Sequence, residues 1–91
     1  MLDATYTLHA RTRAQQRSLP PAIINWLLQF GHETRHNGAD VFCFDKQSRK
    51  RLMRFLGATA FRRIEDLLDA YVVVSDDGQI LTVGHRTRRL R

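Results

Sequence analysis

Apolar side chains are densest near the end of the chain, where YVVVSDDGQILTVGH (residues 71–85) sets two apolar runs about a polar turn. Tyr71, Val72, Val73 and Val74 are aromatic or β-branched, and Ile80, Leu81, Thr82 and Val83 answer them beyond Asp76-Asp77-Gly78. The pattern predicts a β-hairpin, because Asp-Gly suits a tip whose two central residues take positive φ. With a two-residue loop at Asp77 and Gly78, Val74 faces Leu81 and Val72 faces Val83. A three-residue loop with Gly78 left-handed shifts that register. Both strands are apolar on both faces, which predicts central strands with a layer packed on each side.

Upstream, residues 5–8 alternate polar and apolar and read as a short edge strand with Tyr6 and Leu8 inward. Residues 9–17, HARTRAQQR, hold good helix formers without a breaker, and place His9, Arg13 and Arg17 on one stripe beside the small Ala10 and Ala14. Ser18-Leu19-Pro20-Pro21 stops that helix, since proline lacks the N–H and restricts its predecessor. A second helix runs from Pro21 through Ile23, Ile24, Trp26, Leu27, Leu28 and Phe30 to Gly31, with Trp26 and Phe30 expected in the core. Residues 32–44 predict another hairpin about Asn37-Gly38, in which Arg35 faces Asp40 and shares a face with Phe42 and Phe44. Asp45 can cap a helix from Lys46 to about Asp69, interrupted at Gly57 as a bend or as a break between two helices. The sum is an α+β fold, with N-terminal helices and a central helical segment packed on a roughly four-stranded antiparallel sheet.

Length changes this picture little: 91 residues make one domain, which buries roughly 60 to 65% of its unfolded surface. The basic end from about residue 85, HRTRRLR, has only Leu90 to bury and is expected to fray. Cys43 has no disulfide partner, no basic-then-apolar leader opens the chain, and no stretch is apolar enough to span a bilayer. A cytoplasmic location follows as the expectation, without membrane contact.

Charge matters more. The net charge is +6 and thirteen of the fifteen Lys and Arg residues are Arg, the side chain that forks onto phosphate and stacks on bases. Nucleic acid or an acidic protein would suit that balance, although a genome rich in arginine codons yields the same composition. Lys46, Arg49, Lys50, Arg51 and Arg54 precede Glu65, Asp66 and Asp69, an order opposed to the helix dipole. Either a docking surface or a merely solvated face accounts for it.

The letters His9, Ala10, Arg13, Arg17 and Leu19, followed by Ile23 and Gly31, resemble the H-A-x-x-R-x-x-x-R-x-I motif of a family of small bacterial domains of unknown function. Val72, Val73, Val74, Gly78, Ile80, Thr82 and Val83 are similar to that family's closing strand pair. The likeness spans about the first third and last fifth of the chain. It departs at residues 46–69, longer than the family's middle, and at Gly84-His85-Arg86, where an aromatic often follows. The resemblance implies N-terminal helices on an antiparallel sheet, an architecture more distantly similar to the metal-independent ribonucleases of RelE-like toxin and barnase type.

RNA cleavage through the 2′-hydroxyl needs a base, an acid and cations for the phosphorane, which His and Arg supply without a metal. The candidate catalytic set is His9, Arg13, Arg17, Thr82 and His85, which meet if the first helix crosses the end of the last strand. In the structural alternative His9 bonds backbone, and the two arginines pair with Glu33 or Asp69. Candidate nucleic-acid contacts are Arg49, Lys50, Arg54, Arg86, Arg88 and Arg89. His32 could face Cys43 with His36 nearby, but zinc spacing is missing, so no metal site and no cofactor are expected. Cys43, between two phenylalanines, reads as a small buried hydrophobe. Phosphate loops and serine-hydrolase elbows do not occur. Two functions result: a toxin-type endoribonuclease, neutralised by an acidic antitoxin-like protein, or a non-catalytic module that binds RNA or an acidic protein.

Overall fold

Asn37 and Gly38 both adopt positive φ, 50° and 78°, and this tip closes a regular hairpin between β2 (His32–His36) and β3 (Ala39–Cys43). Arg35 stands opposite Asp40 as the two-residue register requires. Here and throughout, the computed structural model describes residues 5–86. The other hairpin joins β4 (Ala70–Val74) to β5 (Gln79–His85) by a different route. Its tip is the three-residue kind, with Gly78 at φ 87° and the Ser75 N–H donating to the Gln79 carbonyl at 2.9 Å. Val74 therefore faces Ile80, yet Val73 faces Thr82 and Val72 faces Val83. Leu81 is the extra residue of a bulge, which restores the register displaced at the tip. Ile80 and Val83 can then both point into the core, where each is fully buried.

β1 (Thr5–Tyr6) adds a fifth strand, parallel to β5, and the sheet order is β1-β5-β4-β3-β2. The four longer strands are antiparallel, so the α+β class and the antiparallel sheet expected from the pattern are present. Thr7 follows β1 and caps α1 (Leu8–Gln16), its side chain accepting from the Ala10 N–H at 3.1 Å. Leu8, expected inward, begins the helix instead and is 79% exposed. Ser18, at φ 54°, closes α1: the Leu19 N–H reaches the Ala14 carbonyl at 2.9 Å and the Ser18 N–H reaches Gln15 at 3.2 Å. That paired pattern satisfies the last carbonyls and sets Leu19 into the core.

α2 (Pro21–Phe30) buries Ile23, Ile24 and Leu27, while Trp26 and Phe30 pack only at the margin of the core. Asp45 and Ser48 form a capping box at the start of α3 (Lys46–Leu56), and Gly57, at φ 87°, breaks the chain into α4 (Ala58–Ile64) and the 3₁₀ turn η1 (Glu65–Leu67). The helices share one core with Ala70, Val72, Ile80 and Val83 on a single face of the sheet.

The opposite face carries Val41, Cys43, Tyr71, Val73, Leu81 and Thr82, all partly exposed and none joined to the core. The expectation of a layer on each side of the hairpin is therefore corrected: among the described residues the helices cover one face only. Cys43 is likewise half-buried on this face, outside the core. Tyr71 shields part of the open face, its ring lying over Gly84, where a Cβ would stand 3.0–3.1 Å from the ring and hydroxyl.

Candidate nucleic-acid interface

α1 crosses β5, as the expected catalytic grouping requires, but its ends do different things. His85 reaches the far end of the helix, with Nδ1 2.6 Å from Asp69 Oδ1 and Nε2 3.2 Å from the Arg17 carbonyl. The ring is a latch between strand, helix and the segment before β4, and its two nitrogens are occupied. His9 lies at the opposite end, exposed, with about 12 Å of helix between it and Arg17. Thr82 projects from β5 on the open face, away from α1. His9, Thr82 and His85 thus do not converge on one point.

The two arginines of the stripe do not form the carboxylate pairs of the structural alternative either. Ion pairs among the described residues join His32 to Asp45, Arg35 to Asp40 and Asp76, and His85 to Asp69. Arg17 is exposed, and Arg13 Nε is a buried side-chain nitrogen without a hydrogen-bond partner among the described residues. In the second hairpin His32 does face Cys43, but its Nδ1 turns to Asp45 at 3.6 Å. His36 Nε2 lies 3.2 Å from the Asn37 side-chain nitrogen.

Among the described residues the strongest charge display is α3, with five bases and no acid over Lys46–Leu56. Asp45 makes this helix start possible. Its carboxylate accepts from the Ser48 N–H at 2.9 Å and the Ser48 hydroxyl at 2.7 Å, while the Asp45 N–H donates to Ser48 Oγ at 2.8 Å. These bonds, the backbone one foremost, hold the Asp45 carboxyl below the ordinary carboxylate range. Ser48 and Leu52 face the core, so helical geometry sends Lys46, Lys50 and Arg54 outward, each about 6 Å beyond the last. Arg51 and Phe55 turn towards α2: the Arg51 guanidinium donates to the Phe30 carbonyl at 3.3 Å, and the Phe30 and Phe55 rings lie 5.2 Å apart.

On the other flank a groove of about 270 Å³ opens between α3, α4 and η1. Lys46, Arg49 and Lys50 line one wall, Met53 and Phe61 supply apolar surface, and Glu65 stands across from them. Arg49 is fixed by donation to the Leu68 carbonyl at 3.4 Å. None of the α3 bases, nor Glu65, takes part in an ion pair among the described residues.

Of the six basic residues expected to contact nucleic acid, Arg49 and Lys50 meet in this groove. Arg54 continues the same helix outside it, and Arg86 lies exposed at the far end of β5. Arg88 and Arg89, with the rest of the basic end, lie outside the described residues. Lys46 and Glu65 belong to the segregated charge run that the sequence shows, although neither stands among the expected contact residues, and Met53 and Phe61 carried no sequence signal for this groove beyond their apolar spacing.

A second cleft, of about 300 Å³, lies between β1, α1 and α2, lined by Tyr6, Ala14, Leu19 and Pro21 with Arg11 and Gln15 at its edge. Burial pushes the Tyr6 phenol up from its ordinary value. No helix among the described residues is long and apolar enough to cross a membrane. Comparisons of the chain with known protein families, with curated proteins and with solved structures find no match.

Proposed function

We propose that this protein is a non-catalytic RNA-binding module whose contact surface is the basic side of α3 and the groove beside it. The observation that carries the reading is the cluster of Lys46, Arg49 and Lys50 around apolar surface, free of internal ion pairs among the described residues. Cations beside a helix N-terminus oppose the macrodipole. A surface that sacrifices local stability in this way is accounted for by what it binds.

The ribonuclease reading asks for an acid and a base within hydrogen-bond reach of one phosphate. His9 and His85 stand at opposite ends of α1, and both His85 nitrogens are engaged, which favours binding over cleavage. Fluorescence anisotropy against salt, with the RNA recovered and sized after incubation in EDTA, tests both readings. The expected result is intact RNA and a plot of log K against log salt with a slope near −2, from three phosphate contacts at about 0.7 each. Lys46→Glu with Lys50→Glu should abolish binding. Cleavage lost in His9→Ala or His85→Ala would restore the toxin-type ribonuclease. Unbound RNA, with an acidic protein captured by the same face, would assign the surface to an antitoxin-like partner.

A further inference from the structure

The groove is more than a charged strip, because it combines three cations, an apolar patch and a single carboxylate within about 270 Å³. Phosphate contacts alone call for cations on an open surface and give no reason for the other two. Met53 is 41% exposed and Phe61 only 7%, so the thioether and the rim of the ring form a shallow apolar floor. Glu65 carries a negative charge into a site whose neighbours attract a polyanion. A carboxylate placed there repels phosphate but accepts hydrogen bonds from an amine.

Resting on the RNA-binding reading above, we infer that the groove takes one unstacked base of a single strand, with Lys46, Arg49 and Lys50 on the flanking phosphates. The base lies against Met53 and Phe61, and the Glu65 carboxylate accepts from its exocyclic amine. A duplex keeps its bases stacked and paired, so it meets only the cations; a single strand can splay a base into the recess. The carboxylate then sets a preference, because cytosine presents the N4 amine as a donor where uracil presents the O4 acceptor.

Short oligocytidylate and oligouridylate strands of equal length, and a duplex of matched charge, are the probes for titration of the full chain by anisotropy. Oligocytidylate should bind about tenfold or more tighter than oligouridylate, the discrimination of one well-placed base contact, and tighter than the duplex. Glu65→Gln, whose amide both donates and accepts, should erase the preference between the two strands and leave the salt slope unchanged. Met53→Ala should weaken both single strands while sparing the duplex. Equal affinity for the two strands in the wild-type protein, a preference that survives Glu65→Gln, or duplex binding as tight as single-strand binding would each overturn the inference while leaving RNA binding in place. Absence of binding to all three probes would remove the underlying reading as well.

Discussion

Gly31 and Ser18 both sit at helix ends, and the structure assigns them opposite responses to substitution. Gly31 follows α2 as the sequence suggested, but in extended backbone (φ −64°, ψ 160°). What excludes a side chain is proximity: a Cβ would stand 2.5 Å from the Leu27 carbonyl oxygen. Gly31→Ala should therefore cost about 1–3 kcal/mol in urea unfolding, the range of an overpacked site. Ser18 holds a left-handed φ of 54° at the end of α1, where glycine is unstrained. Ser18→Gly should gain about 0.5–1 kcal/mol in the same measurement. The letters Gly31 and Ser18-Leu19-Pro20 marked both helix ends; the close approach and the left-handed turn required coordinates.

At the scale of elements, α3 depends on its cap and β5 on its bulge. Because Ser48 keeps the Asp45 carboxyl below the ordinary range, the folded chain gives up that proton at a lower pH than the unfolded chain does. The cap thus contributes fully above the ordinary aspartate value of 3.8 and is lost as the pH falls through the lower folded value. Arg35 depresses Asp76 in the same direction, through a hydrogen bond of 2.6 Å. Thermal unfolding across this acid window should show a smaller fall in Tm for Asp45→Asn than for the wild-type protein, since asparagine caps without titrating. Leu81 supplies a different test. With the bulge residue deleted, Ile80, Thr82 and Val83 can keep their partners Val74, Val73 and Val72 in regular pairing. The deletion should retain cooperative unfolding by circular dichroism. Asn37-Gly38 fixed its hairpin from the sequence because two adjacent positive-φ residues leave one loop length. Asp76-Asp77-Gly78 left two lengths open, and the choice depended on which of Ile80 and Leu81 the helices would cover.

On the scale of the whole molecule, the described residues form one layer of helices on one face of a sheet, and the hydrophobic pattern alone overstated its burial. Val73 and its neighbours made the strands of the last hairpin apolar on both sides, yet the face that Val73 shares with Val41 and Leu81 has no covering element among the described residues. Val72→Ala, inside the core, should cost about 2 kcal/mol from lost burial and the cavity left behind. Val73→Ala, its neighbour on the open face, should cost less than half as much in equilibrium unfolding. The candidate site was legible in the same partial way: the basic run of α3 stands in the sequence, but its meeting with Phe61 and Glu65 arises from the break at Gly57. The His9, Arg13 and Arg17 spacing was equally visible, while the length of α1 separates its first residue from His85. The account turns on where RNA touches, and amide chemical-shift mapping of the ¹⁵N-labelled protein during titration with single-stranded RNA measures that directly. Shifts concentrated at Lys46, Arg49, Lys50, Met53 and Glu65, with His9 and His85 unmoved, are the predicted result. Shifts centred on α1 and His85, with α3 silent, would contradict it.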